Sequence, residues 1–146
     1  MEKLNKCNFS IRYNPSRSVY EDAWSVDVDD GDDCGTYFTA KTYRAAKEWA
    51  DFNSNIIPVK YSKEQEEVAK MLKGIEESIF HFFVDMKWRL HDSLFAVSCE
   101  TIREFTCIKD KGKLFYLAIK NLCRYDILEI KEKGVGNIPN VYLFKL

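Results

Sequence analysis

The sequence predicts an α+β chain built as two modules: a small three-stranded sheet under one helix, then a helix-turn-helix unit closed by a β-hairpin. Three observations carry that reading. Apolar and polar residues alternate through residues 9–13 and again through 24–29, the period of two that turns one face of a strand into a core. Apolar residues recur at spacings of three and four through residues 75–90 and 115–122, the helical period. Between the two patterns lies Ile56-Ile57-Pro58-Val59-Lys60, where proline disfavours helix at the residue before it. The modules are therefore expected to cover residues 1–58 and 59–146.

In the first module, residues 9–13 form a strand that Asn14-Pro15-Ser16 ends. Residues 24–29 form the second. Asp30-Gly31 suits the positive φ angles of a tight hairpin turn, and Thr36-Tyr37-Phe38 returns as the third strand. Thr39 is expected to cap a helix reaching Asn53, with Ala45, Trp49 and Phe52 on one stripe. One amphipathic helix can then bury one face of the sheet.

In the second module, Ser62 caps a helical stretch with Glu64, Glu66 and Glu67 near the positive end of its dipole. Gly74 divides that stretch, and beyond it Ile75, Ile79, Phe82, Phe83, Met86 and Leu90 make the broad apolar stripe of a core helix. Leu94-Phe95-Ala96-Val97 is one short strand. Ser98 caps a helix over 99–106 with Ile102 and Phe105 inward, Cys107-Ile108-Lys109 turns the chain, and Asp110 caps a helix over 111–124. Two helices joined by a short turn are the core of a helix-turn-helix.

The last of these helices carries the functional reading. At about 100° per residue, Phe115, Ala118, Ile119 and Leu122 fall on one side, with Lys113, Leu117, Lys120 and Arg124 opposite. A cationic stripe with an apolar back can lie in the major groove, its charges near phosphates and base edges. Tyr116 and Asn121 flank the stripe, and Lys109 and Lys111 precede it. Residues 127–131 and 141–145 then read as two strands around a tip in which Lys131, Lys133 and Asn137 can reach a phosphate or a minor groove. Gly134, Gly136 and Asn137 are expected to give that tip its freedom.

The passage Ile119-x-x-Leu122-x-x-Tyr125-Asp126-Ile127-Leu128-Glu129-Ile130, followed by Asn140-Val141-Tyr142-Leu143, resembles the run from recognition helix to wing in winged helix-turn-helix DNA-binding domains. The resemblance covers about half the chain and implies a winged helix at its C-terminal end. Tyr125-Asp126 stands where that family commonly has glycine or another small residue, and Asp tolerates left-handed backbone better than most residues. The first module, with Tyr37-Phe38-Thr39-Ala40-Lys41 before Ala45-Ala46-Lys47-Glu48-Trp49-Ala50, is similar to the arm-binding domains of tyrosine recombinases, which place a sheet against DNA.

Charge and composition bound the function. The net charge is -1, which argues against indiscriminate coating of nucleic acid. Its distribution is uneven: residues 1–60 hold 8 basic and 10 acidic side chains, whereas residues 86–146 hold 11 and 7. Asp27, Asp29, Asp30, Asp32 and Asp33 cluster in the first module, an edge that a phosphate backbone would repel. They do not put the glycine and distal glutamate of an EF-hand in register.

Cys7, Cys34, Cys99, Cys107 and Cys123 are odd in number and scattered, and they form no Cys-x-x-Cys pair. They read as small, partly buried hydrophobes rather than zinc ligands. Trp24, Trp49 and Trp88 read as core. His81 and His91 flank an apolar helix and are read as lacking carboxylate or cysteine partners at ligand spacing. With no Gly-rich phosphate loop, Gly-x-Ser-x-Gly or His-Glu-x-x-His, no enzyme, metal or cofactor is expected. No apolar run approaches the roughly 18 to 20 residues of a membrane span, and Met1-Glu2-Lys3-Leu4-Asn5-Lys6 lacks a signal-peptide core. The expectation is a cytoplasmic regulator of transcription or of a mobile element that binds duplex DNA. Its first module would engage a protein, a second stretch of DNA or another copy in a homodimer. The rival is a protein-binding inhibitor or adaptor from a phage or mobile element, whose Asp27, Asp29, Asp30, Asp32 and Asp33 imitate nucleic acid toward a basic protein.

Overall fold

The computed structural model describes residues 8–14, 22–109 and 113–146. The chain divides into two compact units, Met1–Val59 and Lys60–Leu146. Each holds one three-stranded antiparallel sheet, and with five helices among the described residues the class is α+β.

The first unit runs β1 (Asn8–Tyr13), β2 (Trp24–Asp29), β3 (Cys34–Ala40) and α1 (Tyr43–Asn53). Its sheet order is β1-β2-β3, with Ile11 opposite Val26 and Val26 opposite Phe38. The alternation seen in β2 becomes Trp24, Val26 and Val28, all buried. Aromatic rings join helix to sheet: Trp49 stacks on Phe38 at 5.2 Å, and Tyr43 meets Trp24 edge-on at 5.1 Å. The opposite face of the sheet is polar, carrying Ser10, Ser25 and Asp27.

Three expectations in this unit are corrected. The third strand starts at Cys34, two residues before Thr36, so the β2–β3 connection is the four residues 30–33, closed by the Asp30 N–H donating to the Asp33 carbonyl at 3.1 Å. Thr39 belongs to β3, and the helix is capped by Thr42, whose hydroxyl accepts from the Ala45 N–H at 3.1 Å. The buried residues of α1 include Tyr43, Ala46, Ala50 and Asn53, while Phe52 is exposed. The buried stripe thus lies one position off Ala45 and Phe52, while Trp49 still packs on the sheet through Phe38.

The second unit runs α2 (Lys63–Ala69), α3 (Gly74–Leu90), β4 (Leu94–Ala96), α4 (Cys99–Thr106), α5 (Lys113–Arg124), β5 (Leu128–Glu132) and β6 (Val141–Phe144). Its sheet order is β4-β6-β5, so the last strand lies in the middle. Ser62 and Gln65 form a reciprocal capping box at the start of α2, with hydrogen bonds of 3.1 and 2.9 Å. The same Gln65 donates to the Leu146 carbonyl at 3.0 Å, tying α2 to the residues after β6.

Helix α3 is buried all round from Glu77 to Asp85, as expected of a helix at the centre of a core. Phe83 is fully enclosed between Phe82, Phe95, Tyr142 and Phe144, with ring centroids 5.1 to 6.1 Å away. Burial pushes the Tyr142 phenol up to about 12, so it stays neutral. Phe82 meets Phe105 of α4 at 5.1 Å. The expected apolar stripe overshoots at its end: Met86 is half-buried and Leu90 exposed. No helix among the described residues is long and apolar enough to cross a membrane.

Candidate nucleic-acid interface

Helix α5 is anchored by Phe115, Ala118, Ile119 and Leu122, all buried. The expected outward face is outward: Lys113, Leu117, Lys120 and Arg124 are exposed. None of the three cations forms an ion pair or side-chain hydrogen bond with another described residue. The helix contains no acidic residue, so nothing on its own surface neutralises them.

Tyr116 is 51% exposed at the edge of this face. Its hydroxyl accepts a long hydrogen bond, 3.4 Å, from Arg103 of α4, and that guanidinium lies 5.9 Å from the Tyr116 ring and 5.2 Å from Phe115. Arg103 was not among the expected site residues. It adds a cation to the edge of the face and couples α4 to α5, and its place in the last turn of α4 is the one sequence clue to it. Asn121 is half-buried and Lys109 exposed. Asp110 and Lys111, expected as cap and cation, lie outside the described residues.

The β5–β6 hairpin follows α5 through Tyr125, Asp126 and Ile127, and Asp126 takes the left-handed φ of 63°. Its carboxylate accepts a 2.6 Å hydrogen bond from Lys145, which raises the lysine pKa. A bulge between Ile130 and Glu132 leaves Lys131 unpaired in the ladder, with its ammonium 3.6 Å from Glu129. Lys131 is therefore partly compensated, whereas Lys133 and Asn137 are exposed.

The tip is more closely built than its glycines suggested. Only Gly136 takes a left-handed angle, φ 63°. Gly134 is there for close approach: a Cβ on it would run into the Ile138 carbonyl and lie 2.6 Å from Pro139 and 2.9 Å from the Asn140 nitrogen. The Asn140 side chain holds the tip from both sides, accepting from the Gly134 N–H at 2.7 Å and donating to the Tyr142 hydroxyl at 3.2 Å. Val135 and Ile138, 78% and 70% exposed, project from it.

The acidic hairpin of the first unit uses most of its carboxylates internally. Asp27 receives the Arg12 guanidinium at 2.8 and 3.2 Å and the Thr36 hydroxyl at 2.7 Å, and its pKa is lowered, chiefly by the Arg12 hydrogen bond. Asp29 accepts from the Gly31 N–H at 2.9 Å, while Asp30 accepts from Asp32 and Asp33 at 2.9 and 2.8 Å and is lowered by those bonds. Such side-chain acceptors shape a turn. Asp32 and Asp33 are exposed.

Two other readings are corrected. His81 does have carboxylates at helical spacing: Glu77 and Asp85 lie one turn to either side, all three buried, and the Tyr61 hydroxyl is 2.6 Å from His81 Nδ1. The four-residue repeat Glu77, His81, Asp85, Arg89 was the available signal. Among the cysteines, Cys34 is exposed and not a buried hydrophobe, while Cys99, Cys107 and Cys123 are half-buried. Burial pushes the Cys123 thiol up, and Cys7 lies outside the described residues. No family model matches the chain, and comparison with curated proteins and with solved structures finds no match.

Proposed function

We propose that the unit from Lys60 to Leu146 is a winged helix-turn-helix that binds duplex DNA, and that the protein is a small non-enzymatic regulator of transcription or of a mobile element. The observation that carries this is the face of α5 on which Lys113, Lys120 and Arg124 stand exposed over an apolar back, with no ion pair to another described residue. From α3 onward, after the leading helix α2, the order helix, strand, helix, helix, strand, strand with sheet order β4-β6-β5 supports the winged-helix reading. In it α5 is the recognition helix and the β5–β6 hairpin the wing. A helix enters the major groove readily, whereas exposed groups on a hairpin reach the backbone or minor groove beside it.

Lys113, Lys120 and Arg124 position the helix against phosphates, Tyr116 and Asn121 work at its edges, and Lys133 and Asn137 act from the wing. The partner is duplex DNA, with the first unit left to engage a protein, more DNA or a second copy. The adaptor reading draws less support, because Asp27, Asp29 and Asp30 are committed to Arg12 and to the turn. The test is a titration of fluorescent duplex DNA at two salt concentrations with random-sequence competitor. Binding that weakens steeply with salt supports the proposal. No binding at low salt overturns it.

A further inference from the structure

Resting on that reading of α5, we propose that Leu117 is a specificity-determining residue that reads the 5-methyl group of thymine on the floor of the major groove. Leu117 is 49% exposed, and Leu114, one turn before it, is 57% exposed. Neither faces the anchoring side, which Phe115, Ala118, Ile119 and Leu122 fill. At about 100° per residue, Leu117 lies within about 60° of Lys113, Lys120 and Arg124 on one flank and of Leu114 and Asn121 on the other. An apolar strip thus runs along the helix beside a cationic ridge.

Charge complementarity selects the occupant. With three cations, no acidic residue on α5 and no ion pair made by those cations among the described residues, the surrounding face suits a polyanion. If the ridge meets phosphates, the strip next to it meets base edges. A leucine can neither donate to nor accept from those edges, and the apolar feature that ordinary DNA offers in the major groove is the thymine methyl. Asn121, one turn beyond Leu117, has the amide that suits adenine N6 and N7. Together they fit A·T pairs.

The experiment compares two probes that differ by that methyl alone: alternating dA–dT and alternating dA–dU duplexes, titrated at one salt concentration, with a mixed-sequence duplex alongside. The wild-type protein is expected to bind the thymine duplex about fourfold more tightly per methyl in contact, the factor for burying one methyl-sized group. Leu117→Ala is expected to bring that ratio to one while keeping the salt slope. Equal wild-type affinity for both duplexes, with normal salt dependence, overturns the role of Leu117 and leaves the DNA-binding reading standing. Failure to bind any of the three duplexes overturns both. A Leu117→Ala protein that keeps the full thymine preference also overturns the role.

Discussion

Replacing Lys113, Lys120 and Arg124 together by alanine tests whether the α5 face grips phosphates. All three side chains are exposed, and the residues that anchor the helix are untouched, so the variant should fold with an unchanged Tm. Each phosphate neutralised contributes about 0.9 to the slope of log affinity against log salt, so three contacts amount to about 2.7. Raising salt from about 50 to about 200 mM should therefore cost the wild-type protein about 40-fold more affinity than the variant. Fluorescence anisotropy on a fixed duplex at four or five salt concentrations measures both slopes. Arg12→Gln is the control: that cation is already held by Asp27, and its loss should leave the slope alone. A triple variant with the wild-type slope would refute the assignment of this face, whatever its absolute affinity.

Other substitutions probe the scaffold that presents the site. Gly134→Ala should destabilise by about 2 kcal/mol or more, since its Cβ meets backbone that must move. Gly136→Ala should lose only about 1 kcal/mol, because its Cβ has open space and only its left-handed angle is strained; urea unfolding would rank the pair, and the reverse order would contradict the close approach at Gly134. Phe83→Ala, at the centre of the aromatic cluster, should cost about 3 to 5 kcal/mol in the same assay. Asp27 has its pKa lowered in the fold, so its stabilising contribution is complete above its unfolded value of about 4 and fades as pH falls through the lowered folded value. The stability difference between wild type and Asp27→Asn should accordingly be constant near neutrality and shrink in acid, as thermal unfolding across pH would measure.

The parts of the fold legible in the sequence were those written in local periods and local caps. Alternation marked β1 and β2, Ser62 and Ser98 announced α2 and α4, and the wheel of α5 separated its buried and exposed faces, because each depends on residues within a few positions. Much of what failed depended on partners far along the chain, whereas the carboxylates one turn to either side of His81 were local and were passed over. Pairing with β2 extends β3 through Thr39 to Ala40, which moved the helix cap to Thr42. The binding of Asp27 by Arg12 is a contact across strands, invisible in a count of aspartates. The Arg103–Tyr116 contact depends on how α4 crosses α5, and the crowding at Gly134 on how residues 138–140 fold back. Glycine reads locally as freedom, and only the tertiary fold shows it serving as a gap.

The central place of β6 has a bearing on how the protein is made. In the first unit, strands adjacent in the sheet are adjacent in sequence, and the helix that covers them comes next; this unit can close while later residues are still being synthesised. In the second unit, β4 and β5 have no partner until residues 141–144 leave the ribosome. Until then the aromatic side of α3 lacks Tyr142 and Phe144 as cover. Nascent chains should carry a finished first unit beside a sticky, unfinished second one, and translation halted before Val141 removes the keystone of that sheet rather than trimming its edge.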